Sequence, residues 1–201
     1  MNKIKRFSRI FYNLFFDLKY GSFLGGTKKT PYELMGAHDT ANTGYYAMNS
    51  IFQNLISPNE VLVDIGCGKG RVINYWLDAF SDNQIIGIEL DNLVAENTSA
   101  RLSKFSNVTI ISGNIINTLP DNGTLFYLYN PFNCQVMNEF KESLISKFYI
   151  NNLGWIKLFQ IVYYNPICIN IFIEDVRFIC TELKLPSECH KCYLIKVLTV
   201  N

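Results

Sequence analysis

Residues 61–71 have the sequence VLVDIGCGKGR, an apolar run that ends in three closely spaced glycines. A continuous apolar run of this length, stopped by a glycine turn, is typical of a strand buried in a parallel sheet. Gly66, Gly68 and Gly70 let the backbone approach a ligand closely, and the helix start that follows offers free N–H groups. The stretch therefore predicts a strand, a ligand-binding loop and a helix in succession.

Short apolar runs alternate with segments of helical spacing in the rest of the chain. The predicted strands are 61–65, 84–90, 108–113, 124–130 and 155–165, and the predicted helices include 70–80, 91–104 and a segment after residue 133. Strands that alternate with helices form a mainly parallel sheet, which binds ligands outside the carboxyl ends of its strands. The last two runs, 176–180 and 193–200, have only a loop between them, so they predict an antiparallel hairpin.

Several predicted helices begin at residues that suit a helix N-terminus. Asp91 and Asn133 are good N-cap residues. Another helix ahead of the first strand is marked by Tyr45, Met48, Phe52 and Leu55. Asn42 or Thr43 is its expected cap, and the polar loop 37–43 is expected to lie over the ligand cleft.

The spacing of the three glycines separates two kinds of cofactor loop. A dinucleotide-binding loop has the pattern G-x-G-x-x-G, in which the third glycine allows close packing of the helix. Here Gly70 comes one residue early, and Arg71 occupies the expected position of the third glycine. The pattern that the chain satisfies is D-x-G-x-G-x-G, beginning at Asp64. It resembles motif I of the class I S-adenosylmethionine-dependent methyltransferases.

This resemblance implies a Rossmann-like α/β sandwich with a mostly parallel seven-stranded sheet and an antiparallel C-terminal hairpin strand. The whole chain, 1–201, is then one domain, with a helical lid or cap segment at 1–45 and a Rossmann-like core at 46–201. The implied cofactor is S-adenosylmethionine and the implied product is S-adenosylhomocysteine. The positions that match the family's cofactor-binding residues are Asp64, Gly66, Cys67, Gly68, Gly70, Glu89, Leu90, Asn114 and Ile115.

Each of these positions has a role that the resemblance implies. Asp64, at the end of the first strand, would receive the cofactor's ammonium directly or through water. Glu89 would accept hydrogen bonds from both ribose hydroxyls. Asn114 would contact the adenine amino group, with Leu90 and Ile115 against the ring. Two neighbouring cations, at positions 69 and 71, are expected to be solvated or to lie near the cofactor's carboxylate.

The fourth predicted strand ends in Tyr129, Asn130, Pro131 and Phe132, which we predict to be the catalytic corner that holds the methyl acceptor. The corner resembles the D/N-P-P-Y/F motif IV of methyltransferases that modify planar amino groups. Phe132 replaces the second proline of that motif and Asn133 replaces its aromatic residue, so amine methylation is not implied. The chain looks similar to small bacterial methyltransferase-like proteins with a YNPF corner, whose substrate is unassigned.

A second Tyr-Asn-Pro corner, at 163–166, ends the neighbouring predicted strand. The two corners are expected to lie side by side, either as a shared acceptor pocket or as two independent strand ends. A general base is needed only if the acceptor arrives protonated. His38, Asp39 and Tyr129 are the candidates for that base.

Charge and cysteine content limit the partners and the compartment. The formal net charge is +1, which disfavours a nucleic-acid substrate. The small size of the chain argues against an elaborate target-recognition domain, which favours a small-molecule or protein acceptor. The six cysteines are irregularly spaced and are expected to be reduced thiols in a cytoplasmic protein. The turn Cys189–Cys192 is a single C-x-x-C, so a hairpin loop with free thiols is expected rather than a metal site.

The first twenty residues predict an amphipathic helix. The apolar face consists of Ile4, Phe7, Phe11, Leu14 and Leu18, and the cations of the first half are Lys3, Lys5, Arg6 and Arg9. We expect this helix to pack on the domain as a lid or edge cover. Weak contact of residues 3–18 with a membrane surface is the alternative.

Two other functions share parts of this pattern. A nicotinamide-dependent oxidoreductase would use a similar strand and loop, but Arg71 and the terminal hairpin argue against it. A catalytically inactive S-adenosylmethionine-binding protein would have the same glycine loop. The acceptor corner alone distinguishes that protein from an S-adenosylmethionine-dependent methyltransferase, which is the function that the sequence favours.

Overall fold

The computed structural model describes residues 3–27, 29–39, 42–150 and 154–199, with side chains from residue 7 onward. The helices are α1 (Lys3–Lys19), α2 (Tyr45–Phe52), α3 (Arg71–Ala79), α4 (Asn92–Leu102), α5 (Ile115–Thr118), α6 (Cys134–Phe148) and α7 (Asn170–Ile173). The strands are β1 (Val61–Ile65), β2 (Gln84–Glu89), β3 (Val108–Ser112), β4 (Leu125–Tyr129), β5 (Tyr149–Ile150), β6 (Gly154–Trp155), β7 (Gln160–Tyr164), β8 (Phe178–Glu182) and β9 (Cys192–Val197). Among the described residues, no helix combines the length and apolar character needed to cross a bilayer.

Seven strands form one sheet in the order β3-β2-β1-β4-β7-β9-β8. The first five are parallel, whereas β9 runs antiparallel to both β7 and β8. The predicted mostly parallel seven-stranded sheet with an antiparallel C-terminal hairpin is therefore confirmed. The chain order reverses between β1 and β4, and parallel sheets bind ligands at such a reversal.

A hydrophobic core covers each face of the sheet. One core joins the sheet to α5, α6 and α7 and includes Met137, Phe140 and Phe172. The other joins the sheet to α2 and α3 and includes Phe52 and Trp76. Because both faces of the central strands are covered, β1 and β4 are apolar along nearly their whole length.

A buried ion pair attaches α1 to the helix that follows the glycine loop. Asp17 accepts hydrogen bonds from Arg71 Nε at 3.0 Å and from Arg71 Nη2. The same carboxylate accepts from Tyr45 Oη at 2.9 Å and from the Leu24 N–H at 3.1 Å. The sequence suggested that the side chain of Arg71 is solvated or lies near the carboxylate of the cofactor. This prediction is wrong, because Arg71 is buried in the domain and forms an ion pair with Asp17.

The helix α1 packs on α2 and α3 through a different face from the one that its apolar spacing marks. Asp17 and Tyr20 are buried, whereas Phe7, Phe11 and Leu18 are exposed. The spacing identified the amphipathic pattern correctly, but the polar contacts of Asp17 decide which side faces the domain. The structure describes side chains only from residue 7 onward. It therefore does not test the predicted apolar residue at position 4 or the cations at positions 3, 5 and 6.

One pair of cysteines is bridged, contrary to the prediction of six reduced thiols. Cys134 and Cys168 form a disulfide with a Cα–Cα distance of 5.3 Å. The bridge forms because α6 begins beside the turn that follows β7. The other cysteines, at positions 67, 180, 189 and 192, are free thiols. The expected cytoplasmic compartment remains a prediction.

Two local predictions are corrected by tertiary contacts. Gly44 is the N-cap residue of α2, without a side-chain cap. Asn42 instead donates to the Leu24 carbonyl at 2.7 Å, and the Thr43 hydroxyl bonds that of Tyr127 at 2.7 Å. The fifth predicted strand, 155–165, begins only at Gln160, because Trp155 pairs in the separate two-stranded sheet of β5 and β6.

Candidate active site

A cleft lies at the carboxyl ends of four parallel strands. The residues that line it at these ends are Ile65, which ends β1, and Gly66 after it, Glu89 at the end of β2, Asn114 after β3, and Tyr129 at the end of β4. The cleft is open to solvent on one side. Its position suits a ligand site, since open α/β sheets bind ligands outside the carboxyl ends of their strands. The site predicted at this edge of the sheet is therefore a real concavity.

The glycine loop uses its N–H groups for internal hydrogen bonds. The N–H groups of Gly66 and Cys67 both donate to the Ile88 carbonyl, at 2.9 and 3.0 Å. The Gly68 N–H donates to Glu89 Oε2 at 2.8 Å, and the Gly70 N–H donates to the Cys67 carbonyl at 2.8 Å. These four N–H groups of the loop are therefore not available to a phosphate, and the free N–H groups expected at the start of α3 remain a prediction.

Two buried carboxyl groups lie next to the loop. Asp64 Oδ2 finds no hydrogen-bond partner within the described part of the chain. Burial, and then the charge of Glu89, raises the pKa of Asp64 to about 8. Burial also raises the pKa of Glu89, although hydrogen bonds from backbone N–H groups oppose that shift. Because neighbouring buried carboxylates repel one another, this part of the site favours a ligand with a positive charge.

Five of the nine predicted cofactor residues line the cleft directly: Gly66, Glu89, Leu90, Asn114 and Ile115. The other four, Asp64, Cys67, Gly68 and Gly70, are not among the residues that line the cleft. Asn114 also caps α5, since its Oδ1 accepts from the Ile116 N–H at 3.0 Å. Asp91 has the predicted capping role, because its Oδ1 accepts from the Val94 N–H at 3.1 Å.

The acceptor corner has an unusual backbone at Asn130, where φ is 42°. Asparagine is one of the few residues that adopt this left-handed conformation readily. Its Oδ1 accepts from the Tyr163 hydroxyl at 3.1 Å, and its Nδ2 lies 3.2 Å from His38 Nδ1. Asn130 is therefore a buried support, whereas Tyr129, Pro131 and Phe132 line the cleft.

Residues 36–38, the strap, pair with the acceptor corner. The Asn133 N–H donates to the Gly36 carbonyl at 2.8 Å, and the His38 N–H donates to the Pro131 carbonyl at 2.9 Å. His38 Nδ1 lies 3.0 Å from the Asn130 carbonyl oxygen. These contacts fix the His38 ring in the cleft wall, as expected for a polar loop that lies over the ligand.

The two Tyr-Asn-Pro corners lie side by side, as predicted. Tyr129 and Tyr164 are opposite in the β4–β7 register, and their ring centroids are 5.1 Å apart. The second corner, at 163–166, supports the first and does not line the cleft. The turn 189–192 packs behind both, with the His190 N–H donating to the Tyr164 hydroxyl at 3.1 Å. In the part of the chain that the structure describes, no cluster of three His, Cys, Asp or Glu residues could hold a metal ion.

Sequence reasoning missed the contribution of residues 29–35 to the cleft. Lys29, Thr30 and Met35 line its mouth, and Val136 lines it from the first turn of α6. The segment 29–35 has no helical or strand periodicity, so nothing in it signalled a site. The Thr30 N–H donates to Asp39 Oδ1 at 3.0 Å, a contact that a local pattern does not reveal.

Replacement of Gly66 by alanine should lower the midpoint of thermal unfolding by roughly 5 °C. Gly66 has a φ of 71°, and an added Cβ would lie 3.0 Å from Pro131 Cβ. A left-handed alanine costs about 1–2 kcal/mol, and the contact with Pro131 adds to that cost. Gly26→Ala is the matched control, since Gly26 has a φ of 83° with nothing within 4 Å of the added atom. Equal losses in the two variants would show that Pro131 moves away freely.

Comparisons with known proteins agree with this geometry. A protein-family model described as "Putative methyltransferase" matches residues 58–124, from just before β1 to the start of β4. A relative called "Putative methyltransferase 235L", from Invertebrate iridescent virus 6, is 36% identical over 61 residues. That match covers 25% of this chain and 23% of the viral protein.

Solved structures share the fold at low sequence identity. A structure described as a putative O-methyltransferase from Klebsiella pneumoniae has a TM-score of 0.58 and 12% identity, over 94% of this chain and 89% of that one. The mitomycin 7-O-methyltransferase MmcR has a TM-score of 0.59 and 13% identity, over 77% of this chain and 54% of its own. This chain is therefore similar to methyltransferases over residues 58–124, and it shares the Rossmann-like fold of solved methyltransferase structures.

Proposed function

We propose that this chain binds S-adenosylmethionine in the cleft and transfers its methyl group to a small-molecule or protein acceptor. The observation that carries the proposal is the pairing of buried Asp64 and Glu89 with a glycine loop in which four N–H groups, from residues 66, 67, 68 and 70, are engaged. That arrangement suits a ligand with an ammonium and a sulfonium and offers little to a pyrophosphate. It argues against the nicotinamide-dependent oxidoreductase.

In this proposal, the predicted cofactor residues each contact a different part of S-adenosylmethionine. Asp64, whose Oδ2 lacks a partner among the described residues, receives the ammonium directly or through water. Glu89 holds the ribose hydroxyls, because each of its oxygens keeps a lone pair after bonding a backbone N–H. Leu90 and Ile115 pack on the adenine, and the carboxamide of Asn114 faces its amino group. The glycine loop with Cys67 shapes the backbone around them.

The acceptor lies against Tyr129, Pro131 and Phe132. When bound, S-adenosylmethionine supplies an electrophilic methyl group, and the protein contributes mainly alignment. Asn130 acts by positioning this corner, since its amide oxygen already accepts a hydrogen bond from the Tyr163 hydroxyl. The amide is therefore not free to grip a planar amine, and amine methylation is not favoured by this geometry.

His38 is the general base that the structure favours for a hydroxyl acceptor. When Nδ1 carries the proton and donates to the Asn130 carbonyl, the lone pair of the ring is on Nε2. The strap holds the ring in the cleft wall, so this nitrogen can take a proton from an acceptor placed beside Tyr129. The acceptor corner and the base distinguish an enzyme from a protein that only binds the cofactor.

The same proposal covers the rest of the chain. Residues 1–201 act as one domain, in which 29–39 cover the cleft and 46–201 form the core. The segment 1–45 divides in two, since α1 packs on α2 and α3 while the residues after it line the cleft mouth. A net charge of +1 gives little attraction for nucleic acid, which keeps a nucleic-acid acceptor disfavoured.

Thermal unfolding with added ligands tests this function. We expect S-adenosylmethionine and S-adenosylhomocysteine, each at about a hundred times its dissociation constant, to stabilise the protein by about 2.7 kcal/mol. For a chain of this length that raises the midpoint by roughly 5–10 °C. NAD should leave the midpoint unchanged. A shift with NAD alone would contradict the proposal and favour the oxidoreductase.

A further inference from the structure

The outward face of α1 exposes a continuous row of large apolar side chains. Phe7, Phe11, Phe15 and Leu18 expose 62%, 66%, 67% and 57% of their surface, and Ile10 exposes 52%. Their spacing of three and four residues places them on one side of the helix. Single exposed apolar residues are ordinary, but a row of five along one helix marks a contact surface.

The inner face of the same helix is fixed to the domain, so the row cannot turn inward. Asp17 is buried against Arg71, and Asn13 Oδ1 accepts from the Tyr45 N–H at 3.2 Å. At the end of the helix, Arg101 Nη1 donates to the Tyr20 carbonyl at 2.8 Å. A rotation that buried the aromatic row would break the ion pair and leave two charges without partners.

The charge of α1 indicates what the row contacts. Its sequence holds Lys3, Lys5, Arg6, Arg9 and Lys19, and its single acid is the buried Asp17. Arg9 pairs with Glu188 and Lys19 with Asp78, so the excess positive charge of α1 comes from positions 3, 5 and 6. The first turn has no acidic residue, although a helix N-terminus favours negative charge. A negatively charged surface next to this end would offset the unfavourable charge. A second copy of the chain would bring a like-charged helix instead, which opposes self-association.

We propose that α1 lies flat on an anionic lipid bilayer, with Phe7, Phe11, Phe15 and Leu18 entering the interface. Seventeen helical residues span roughly 25 Å, which suits a helix that lies in the membrane plane. The apolar row supplies burial, and the cations supply attraction to acidic headgroups. The protein then carries out its chemistry while held at a membrane surface by this one helix.

Co-sedimentation of the full chain with lipid vesicles tests this proposal. We expect about tenfold more binding to phosphatidylcholine vesicles with about 30% phosphatidylserine than to phosphatidylcholine alone, and loss of binding as salt is added. The double variant Phe11→Glu/Phe15→Glu should lose at least about tenfold of that binding. Ile173→Glu/Val176→Glu changes two exposed apolar residues elsewhere and should bind as the wild type does.

Thermal unfolding checks that each variant is folded. If Phe11→Glu/Phe15→Glu does not fold, Phe11→Ser/Phe15→Ser takes its place in the vesicle experiment. Equal sedimentation of the wild type and the α1 variants would overturn the proposal. So would the absence of wild-type binding to anionic vesicles. A dimer in size-exclusion chromatography with light scattering that the α1 variants dissociate, without vesicle binding, would assign the row to a second copy.

Discussion

Replacement of Asp17 by alanine should destabilise the protein by about 3–5 kcal/mol. The substitution leaves the guanidinium of Arg71 buried without its carboxylate, and it removes the acceptor for the Tyr45 hydroxyl and the Leu24 N–H. For a chain of this length the midpoint of thermal unfolding should fall by roughly 10 °C. Since Arg71 is the first residue of α3, directly after the glycine loop, we also expect weaker binding of S-adenosylhomocysteine.

A control variant and a double variant separate the buried pair from a general effect of charge. Glu188→Gln removes one ionic partner of Arg9 in a more exposed pair, and little change in the midpoint is expected. Asp17→Asn/Arg71→Met removes both charges and keeps an acceptor oxygen, so it should be more stable than Asp17→Ala. If Asp17→Ala and Glu188→Gln unfold at the same temperature, the ion pair does not anchor α1.

The parts of the fold that were predicted from the sequence depend on local patterns. An apolar run with a glycine turn specifies β1 and its loop within eleven residues, and alternation of such runs specifies the parallel sheet. Asp91 and Asn133 were identified as caps because a capping side chain bonds an N–H only three residues away. The ends of successive strands also brought the predicted cleft residues together, since parallel strands share one edge.

The parts that were not predicted depend on residues far apart in the chain. Asp17 and Arg71 are separated by 54 positions, and Cys134 and Cys168 by 34. Helical spacing shows that α1 has an apolar face, but it does not show which way that face points. The position of the strap depends in the same way on distant contacts, since His38 and Asn130 are 92 positions apart. A single sequence does not reveal such contacts, because no local preference depends on them.

Binding of S-adenosylhomocysteine should strengthen as the pH rises from about 6.5 to 8.5. The free protein holds Asp64 largely protonated at pH 7, since burial and Glu89 raise its pKa to about 8. The ligand's ammonium favours the ionised carboxylate, so binding lowers this pKa and releases a proton below pH 8. The affinity gain is at most tenfold per pH unit and levels off above about pH 8, where most of the Asp64 in the free protein becomes ionised.

Replacement of Asp64 by asparagine should remove this pH dependence and weaken binding by roughly a hundredfold or more, because the ammonium loses a buried ionic partner. The same substitution has the opposite effect on stability. The folded pKa of Asp64 exceeds its unfolded value, so its stabilising contribution is complete below about pH 4 and is lost as the pH rises to 8. Asp64→Asn should therefore gain stability relative to the wild type between pH 5 and 8, by up to about 1.4 kcal/mol per unit.

Titration calorimetry in buffers of different ionisation enthalpy measures the released proton, and thermal unfolding across the same pH range measures the stability difference. Asp82→Asn, at an exposed aspartate, should leave both quantities unchanged. If Asp64→Asn binds S-adenosylhomocysteine with wild-type affinity, Asp64 does not contact the ammonium, although the cleft can still be the cofactor site. A constant stability difference between Asp64→Asn and the wild type would show that Asp64 is ionised throughout. The two measurements thus test the ligand contact and the buried charge separately, because stability is recorded without ligand.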